Sequence, residues 1–488
     1  MITQPDRTQA DHTPPDLSAL VDVENGIISR QIFVDESIFA MEMKNLFGRA
    51  WLFVGHESQI PHPGDYFTSR MGTDAVLMTR GTDDQVYVLL NSCRHRGMKI
   101  CRYDEGNTMT FTCPYHGWSY SIDGEIVDTP GDLFGVPQFG GAYGRKLRRE
   151  DWGLVRPGRV ENYRGLIFAT WDAGAPDFAD YVGTFVHWLN NLADSMAGVR
   201  AGAETIAGVQ RWRVPANWKF VAENFLGDSY HADTTHSSVE TVGIGPAGPG
   251  GTRHGTGPDA LAARRAKFQR SVSYPLLGHG ACDSPDEVRP SPTFTDRPEL
   301  TEYFAEMNAR KQEIRREQGA PPGANGPATL FPSMSFHALG FPKSILVAHP
   351  VSPWETEMWR WYVVDKDMRA DAREWLRHYY LRYSGPGGMT EQDDMENWDY
   401  ATNASRGTQA QTFDYNYAQG IGMTTPCSLD GAVESTHWST EENARNFYAR
   451  WARITSGESW ADLMTEPTTP NTIGNGTIAQ SPSARAGV

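Results

Sequence analysis

Two short clusters of cysteine and histidine constrain this chain more than any other feature. Cys93-Arg-His95-Arg-Gly97 carries a C-x-H pair, and Cys113-Pro-Tyr-His116 carries a C-x2-H pair. Together they offer two thiolates and two imidazoles. That set suits zinc, copper or iron–sulfur rather than magnesium or calcium. Zinc fingers commonly pair Cys with Cys and His with His along the chain. Here each half holds one of each. Such a set can bind a [2Fe–2S] cluster in which two histidines replace two cysteines on one iron, an exchange that raises the reduction potential. A structural zinc site with the same ligand types stays open at this point. Either metal demands ligands fixed by a rigid scaffold. Short alternating apolar runs at 66–68, 75–78, 86–90, 110–112 and 118–121 supply one, with Pro63-Gly64 and Asp123-Gly124 as turns. They predict a small all-β unit with both Cys–His pairs on its loops. Residues 159–171 are expected to close it as a strand.

The remainder is predicted to be larger and mixed. Asp35 heads a helical run through Phe47, and residues 178–196 and 218–236 also follow a helical pattern. Residues 241–298 are Gly- and Pro-rich and read as irregular. Runs at 330–336, 344–349 and 358–364 predict an antiparallel sheet, and 368–383 a helix. Ser439-x-x-Glu442 has the form of a capping box for a helix through Ile454. The fold class expected is therefore α+β. The expected domains are an N-terminal arm and helix at 1–48 packing on the catalytic domain, a metal-binding β domain at 49–172, a catalytic domain at 173–465, and a flexible tail at 466–488.

Several functions are disfavoured. A net charge of −16 argues against a nucleic-acid partner. No apolar run of about 18 residues marks a membrane span. An odd count of five cysteines and an acidic, polar start without a signal pattern predict a cytoplasmic protein. Gly243-x-Gly245-x-x-Gly248 matches the dinucleotide fingerprint, but Pro246 and Pro249 break the helix it needs. The chain is thus expected to lack its own nicotinamide or flavin site and to take electrons from another protein.

A second constellation gives those electrons a destination. Glu223-Asn224-Phe225-Leu226-Gly227-Asp228-Ser229-Tyr230-His231 is followed by His236. Two histidines and one carboxylate form the facial triad of non-haem iron(II), with positions open for O2. A five-residue spacing does not place both imidazoles on one face of a regular helix, so a distorted or ending helix is required. Asp228, three residues before His231, is better placed to orient that imidazole than to bind metal. The carboxylate must come from elsewhere, and Glu391-Gln392-Asp393-Asp394-Met395-Glu396 is the candidate segment.

These motifs together resemble the α subunits of Rieske non-haem iron aromatic-ring-hydroxylating dioxygenases, especially the naphthalene, biphenyl and toluene group. The resemblance runs from about residue 20 to 455 and rests on Cys93–Gly97, on Cys113–His116 with Gly117 and Trp118, and on N-F-x-G-D-x-Y-H-x4-H at 224–236. It implies a Rieske [2Fe–2S] cluster on Cys93, His95, Cys113 and His116, and a mononuclear Fe(II) on His231, His236 and Asp394, with O2 as co-substrate. It implies that Asp228 bridges an iron-ligand histidine to a Rieske-ligand histidine of a neighbouring subunit, that Asn224 lies close to the iron, and that Phe225 lines the pocket. It implies a small β subunit in an α3β3 hexamer, and reduction by a ferredoxin and an NADH-dependent reductase. Met389 and Thr390, together with 239–242 and 331–336, are further candidate pocket walls. No basic residue is evidently placed to hold a substrate carboxylate. The expected reaction is cis-dihydroxylation of a fused-ring hydrocarbon such as naphthalene or phenanthrene. Alternatives are another aromatic (biphenyl, monocyclic or carboxylated), a monooxygenase or demethylase with both sites, and a non-catalytic zinc or electron-transfer module.

Overall fold

The computed structural model of the chain describes residues 15–127, 143, 148–200, 202–206, 208–242, 270–283, 297–320, 323–338, 343–435 and 439–465. The dinucleotide-like glycines at 243–248 and the tail at 466–488 lie outside them.

The metal-binding half is all β. A four-stranded antiparallel sheet runs in the order Val86–Leu90, Asp74–Arg80, Asp65–Met71, Glu105–Asn107. A three-stranded sheet joins Leu52–His56 to the hairpin Arg159–Tyr163/Leu166–Thr170. The strand expected across 159–171 is thus two strands, because Arg164 and Gly165 both take positive φ and turn the chain. A third hairpin, Thr110–Thr112/Ser119–Ser121, carries the second Cys–His loop at its tip. This half has its own apolar core, in which Leu77, Leu89, Phe111, Trp118 and Tyr120 pack around Cys93 and Cys113.

The larger half is built on a ten-stranded antiparallel sheet. Glu355–Asp365 and Ser344–Ser352 form its long central hairpin. Arg270–Ser273 and Gly280–Asp283 belong to it as well, so part of the stretch read as irregular is regular strand. Two helical expectations need correction, and two further helices carry no readable pattern. Residues 218–236 do not form one helix: Trp218–Leu226 is α-helical, the chain breaks at Gly227, and Ser229–Asp233 is a 3-10 turn. Pro298–Glu317 is a 20-residue helix. Its apolar stripe is thin (Leu300, Phe304 and Ile314 are its buried hydrophobics), which left it without a readable period. Met389–Ser405 is also a helix, equally polar, and it carries the acidic segment. The helix expected from Ser439 starts instead at Glu442, without a side-chain cap, and the Ser439 hydroxyl accepts from Gln419.

The described part of the N-terminal arm is fastened to the larger half by a buried charge pair. Glu42 accepts from Lys219 Nζ at 2.5 Å, from Trp218 Nε1 at 3.0 Å and from Trp451 Nε1 at 2.7 Å. Lys219 is 0% exposed and lies near the rings of Phe33, Trp218 and Trp451. Burial lowers its pKa, against the pull of Glu42. Lys219 sits at the start of the helix that leads to the His231 site, so this pair connects arm, helix and site. We predict that Glu42→Ala, which strands the buried ammonium, costs about 3–5 kcal/mol of stability in denaturant unfolding. The double variant Glu42→Leu/Lys219→Met should lose far less. A loss below ~1 kcal/mol for Glu42→Ala would show that the pair does not hold the arm.

Candidate active site

The two Cys–His loops share one backbone design. Gly97 N–H donates to Cys93 O at 2.9 Å, and Gly117 N–H to Cys113 O at 3.0 Å. Cys93 N–H donates to Met98 O, and Cys113 N–H to Trp118 O. Both glycines take positive φ (72° and 76°), which the turn requires and a side chain would strain. The loops bury their cysteines, 3% and 2% exposed, and leave His116 exposed and His95 half-buried. The two imidazole rings lie 4.5 Å apart between centroids. His95 stacks on Trp118, and Tyr120 accepts the Arg94 N–H while touching Cys93 Sγ at 3.4 Å. Burial raises the Cys113 thiol pKa, opposed by the backbone N–H groups of Tyr115 and His116. His95 Nδ1 is buried without a hydrogen-bond partner. Two inner thiols, two outer imidazoles and an orphaned imidazole nitrogen fit a cluster whose histidine side faces solvent.

The second site lies where the helix break meets the Met389–Ser405 helix. A Cβ on Gly227 would come within 2.8 Å of Asn443 Nδ2, so the break is tightly seated. It allows His231, on the 3-10 turn, and His236, in the turn that follows it, to face each other. His231 Nε2 lies 3.2 Å from His236 Nε2, and each lies 3.3 Å from Asp394 Oδ1. These are ligand-type atoms, all within 4.8 Å of one another. Asp394 Oδ1 is buried and lacks a hydrogen-bond donor. The outer nitrogens are engaged separately. His231 Nδ1 meets the Asp228 carbonyl and lies 3.3 Å from its Oδ2, and His236 Nδ1 lies 3.4 Å from Asp393 Oδ2. A carboxylate behind each imidazole fixes its tautomer and turns Nε2 inward. Asp393 is in turn held by Ser238 Oγ at 2.8 Å.

Electrostatics agree with a cation at this point. Burial alone would lower the His231 pKa, but Asp228 and Asp394 hold it well above its usual value. His236 is raised in the same way, chiefly by Asp394. Burial raises Asp394, yet the two histidines bring it down to about 2. Three acceptor-type groups converge on one buried point and fit a divalent metal.

The other candidates are placed less closely. Phe225 is buried with its ring 5.3 Å from that of His337. Asn224 is half-buried. Thr390 is buried and its hydroxyl donates to Tyr383 O, while Met389 is half-buried at the helix start. Phe331 and Phe336 pack towards Phe447 and Phe185. Sequence did not single out Asp393, Glu391 or Glu223. Glu391, buried one turn before Asp394, binds the buried Arg360. Glu223 accepts from Tyr417 and Tyr448 at 2.9 and 2.5 Å, and burial lifts its pKa to about 8 despite both donors. The Asp393-Asp394 dipeptide was the available signal for Asp393, since adjacent helical carboxylates can serve two different histidines.

Residues 50–137 match the Rieske [2Fe-2S] domain family, and residues 200–457 match the ring hydroxylating alpha subunit (catalytic domain) family. The chain belongs to the ring-hydroxylating Rieske dioxygenase α subunits. Biphenyl 2,3-dioxygenase subunit alpha of Rhodococcus jostii is 37% identical over 458 residues, covering 92% of this chain and 93% of that protein. Benzene 1,2-dioxygenase subunit alpha of Pseudomonas putida is 35% identical over 473 residues, covering 94% and 98%. Naphthalene 1,2-dioxygenase from Rhodococcus sp. bound to indole superposes with a TM-score of 0.74 at 30% identity, covering 92% of this chain and 99% of that one. This dioxygenase α subunit is an oxidoreductase with a Rieske cluster and a mononuclear iron, which sets the zinc alternative aside. Its described residues include no helix long and apolar enough to cross a membrane.

Two predictions follow from the geometry. A metal bound by these two imidazoles must displace their protons, and their raised pKa values mean that its affinity should begin to fall above the ordinary histidine range and keep falling as pH drops through it. A metal-competition titration that is flat across that range would refute this. Asp393→Asn should weaken iron binding about 10–100-fold without unfolding the protein, the loss expected for a residue that only orients a ligand. Unchanged affinity would remove Asp393 from that role.

Proposed function

We propose that His231, His236 and Asp394 hold the mononuclear Fe(II), and that Cys93, His95, Cys113 and His116 hold the Rieske cluster. The observation that carries the first assignment is the convergence of two Nε2 atoms and the orphaned Asp394 Oδ1 on one point. When bound, the two centres supply O2 activation and one-electron delivery. Residues of the chain do the rest. Asp228 and Asp393 keep each imidazole in the tautomer that presents Nε2. Phe225, Met389 and Thr390 line the substrate pocket, and Asn224 stands near the iron.

The reaction we propose is cis-dihydroxylation of an uncharged aromatic hydrocarbon, with fused two- or three-ring compounds such as naphthalene or phenanthrene preferred. Both atoms of O2 enter the ring, and two electrons and two protons balance the cis-dihydrodiol. A substituted variant of naphthalene 1,2-dioxygenase bound to phenanthrene shares this fold, at TM-score 0.79 and 29% identity.

We further propose that electrons come from NADH through a reductase and a ferredoxin. They leave the cluster at His116 and cross to Asp228 of a neighbouring α subunit, in an α3β3 hexamer with a small β subunit. Charge supports this route. The cluster loops carry Arg94, Arg96, Lys99 and Arg102, and exposed Tyr115 lies against His116. Asp228 lines a cavity of about 220 Å³ together with Glu223, Tyr230, Tyr417 and Glu441. A basic tip and an acidic recess are complementary.

Turnover with ferredoxin, reductase and a panel from benzene and biphenyl to phenanthrene, with products identified, tests the reaction. Fused-ring dihydrodiols formed fastest are the expected result. Monohydroxylated products throughout, or a clear preference for benzene, would refute the assignment. Asp228→Asn should keep both metals by iron analysis and lose about 100-fold in turnover. Near-normal turnover with full iron would remove Asp228 from the route.

A further inference from the structure

A second charged cavity lies apart from both metal sites. Its volume is about 200 Å³, and it opens where the C-terminal end of the Val186–Ala193 helix meets the last turns of the Pro298–Glu317 helix. Its walls include Arg164, His187, Asp194, Arg200, Lys311 and Arg315. Lys311 and Arg315 are only 3% and 8% exposed.

Cationic side chains outnumber carboxylates on the described wall of this cavity. Lys343 Nζ donates to Asp194 O at 2.7 Å, and Lys311 Nζ donates to Ser195 O at 3.1 Å and Asp194 O at 3.4 Å. These lysines cap a helix C-terminus, which carries only about half a negative charge. The Asp194 carboxylate is engaged by Arg164 Nη1, at 3.0 Å to each oxygen. Arg315 donates to Gly323 O, and Arg200, on the exposed rim, has no hydrogen bond or ion pair among the described residues. Among the described residues the cavity wall carries four cations, Arg164, Arg200, Lys311 and Arg315, and one carboxylate, Asp194, with Lys343 and the buried Asp365 close by. Asp283 also lies in the field of Arg315 but is bound to Arg270 at 2.9 Å. Buried charge in such excess is costly unless an anion accompanies it.

We infer that this cavity is a binding site for a small multivalent oxyanion of the phosphate class. The space admits it, since a cavity of this size has room for several waters. Lys311 agrees. Burial, and then Lys343, bring its pKa down to about 7, opposed by Asp194 and Asp365 and aided by Arg315. An anion beside it would raise that value again, so binding near neutral pH takes up a proton.

Calorimetric titration of inorganic phosphate into the iron-loaded protein, at constant ionic strength with chloride as reference, tests the site. The wild type should bind one phosphate per chain, with proton uptake revealed by buffers of different ionisation enthalpy. Lys311→Met should weaken binding about tenfold, and Arg200→Ala about threefold or more, each through loss of one charged donor. Arg382→Ala, exposed on another helix, should leave affinity unchanged. If Lys311→Met does not fold, Arg200→Glu, at an exposed position, decides the matter. Absence of saturable phosphate binding in the wild type, or Arg200→Glu binding as tightly as wild type, would overturn the inference. Acetate binding as tightly as phosphate would also overturn it, and would point instead to a carboxylate side chain from a neighbouring chain.

Discussion

Three ligand-type atoms face one another in the catalytic half. His231 Nε2, His236 Nε2 and Asp394 Oδ1 sit within 3.3 Å of each other, with the carboxylate oxygen buried. Such a cluster is held together by a cation or by protons. The surrounding structure is arranged to keep it poised for a cation. Asp228 and Asp393 take the outer nitrogens, so both rings present the same edge inward. The helix that carries Asp394 is tied to the sheet by the buried Glu391–Arg360 pair and to the turn between His231 and His236 by Asn397 and Thr235. The helix before the break is anchored through Lys219 to Glu42 on the N-terminal arm. Contacts far apart in sequence thus converge on the placement of a few atoms.

The parts legible in sequence are those where chemistry is local. Cys93, His95, Cys113 and His116 could be read because uncommon residue types recur at short spacing with a glycine at the fifth position of each loop. The β scaffold was legible from short apolar runs between turn signals, although strands such as Leu52–His56 and Leu166–Thr170 are buried on both faces. The helices 298–317 and 389–405 were not, because each buries few apolar side chains and owes its placement to ion pairs and hydrogen bonds that have no period. The break at Gly227 was anticipated only as a need, from the five-residue histidine spacing. Its cause is the close approach of Asn443, which lies more than two hundred residues on. Ser439 had the form of a cap, but its hydroxyl is engaged by Gln419, a tertiary contact that no local pattern encodes. Asp393 and Asp394 illustrate the same limit. Neighbouring residues on a helix point roughly 100° apart, so the dipeptide offers two carboxylates to two directions. Only the fold distributes them, one towards the shared point and one to the back of His236.

The exposure pattern at the Rieske loops bears on why the family works as an assembly. Electron transfer needs a route off the cluster, yet the sulfur ligands must be kept from water. Burying Cys93 and Cys113 while leaving His116 at the surface meets both demands. A surface imidazole ringed by arginine and lysine is a poor place for the chain's own substrate chemistry and a good one for docking an acidic recess. Asp228 opens into such a recess, and its other side already touches His231. Among the described residues Asp228 makes no bond to His95 or His116 of its own chain. In the proposed assembly a second copy would supply that contact with no new chemistry: the same side chain that lies behind His231 would accept from an incoming imidazole. The proposal thus places at Asp228 both demands, orienting one imidazole and receiving another across a subunit boundary.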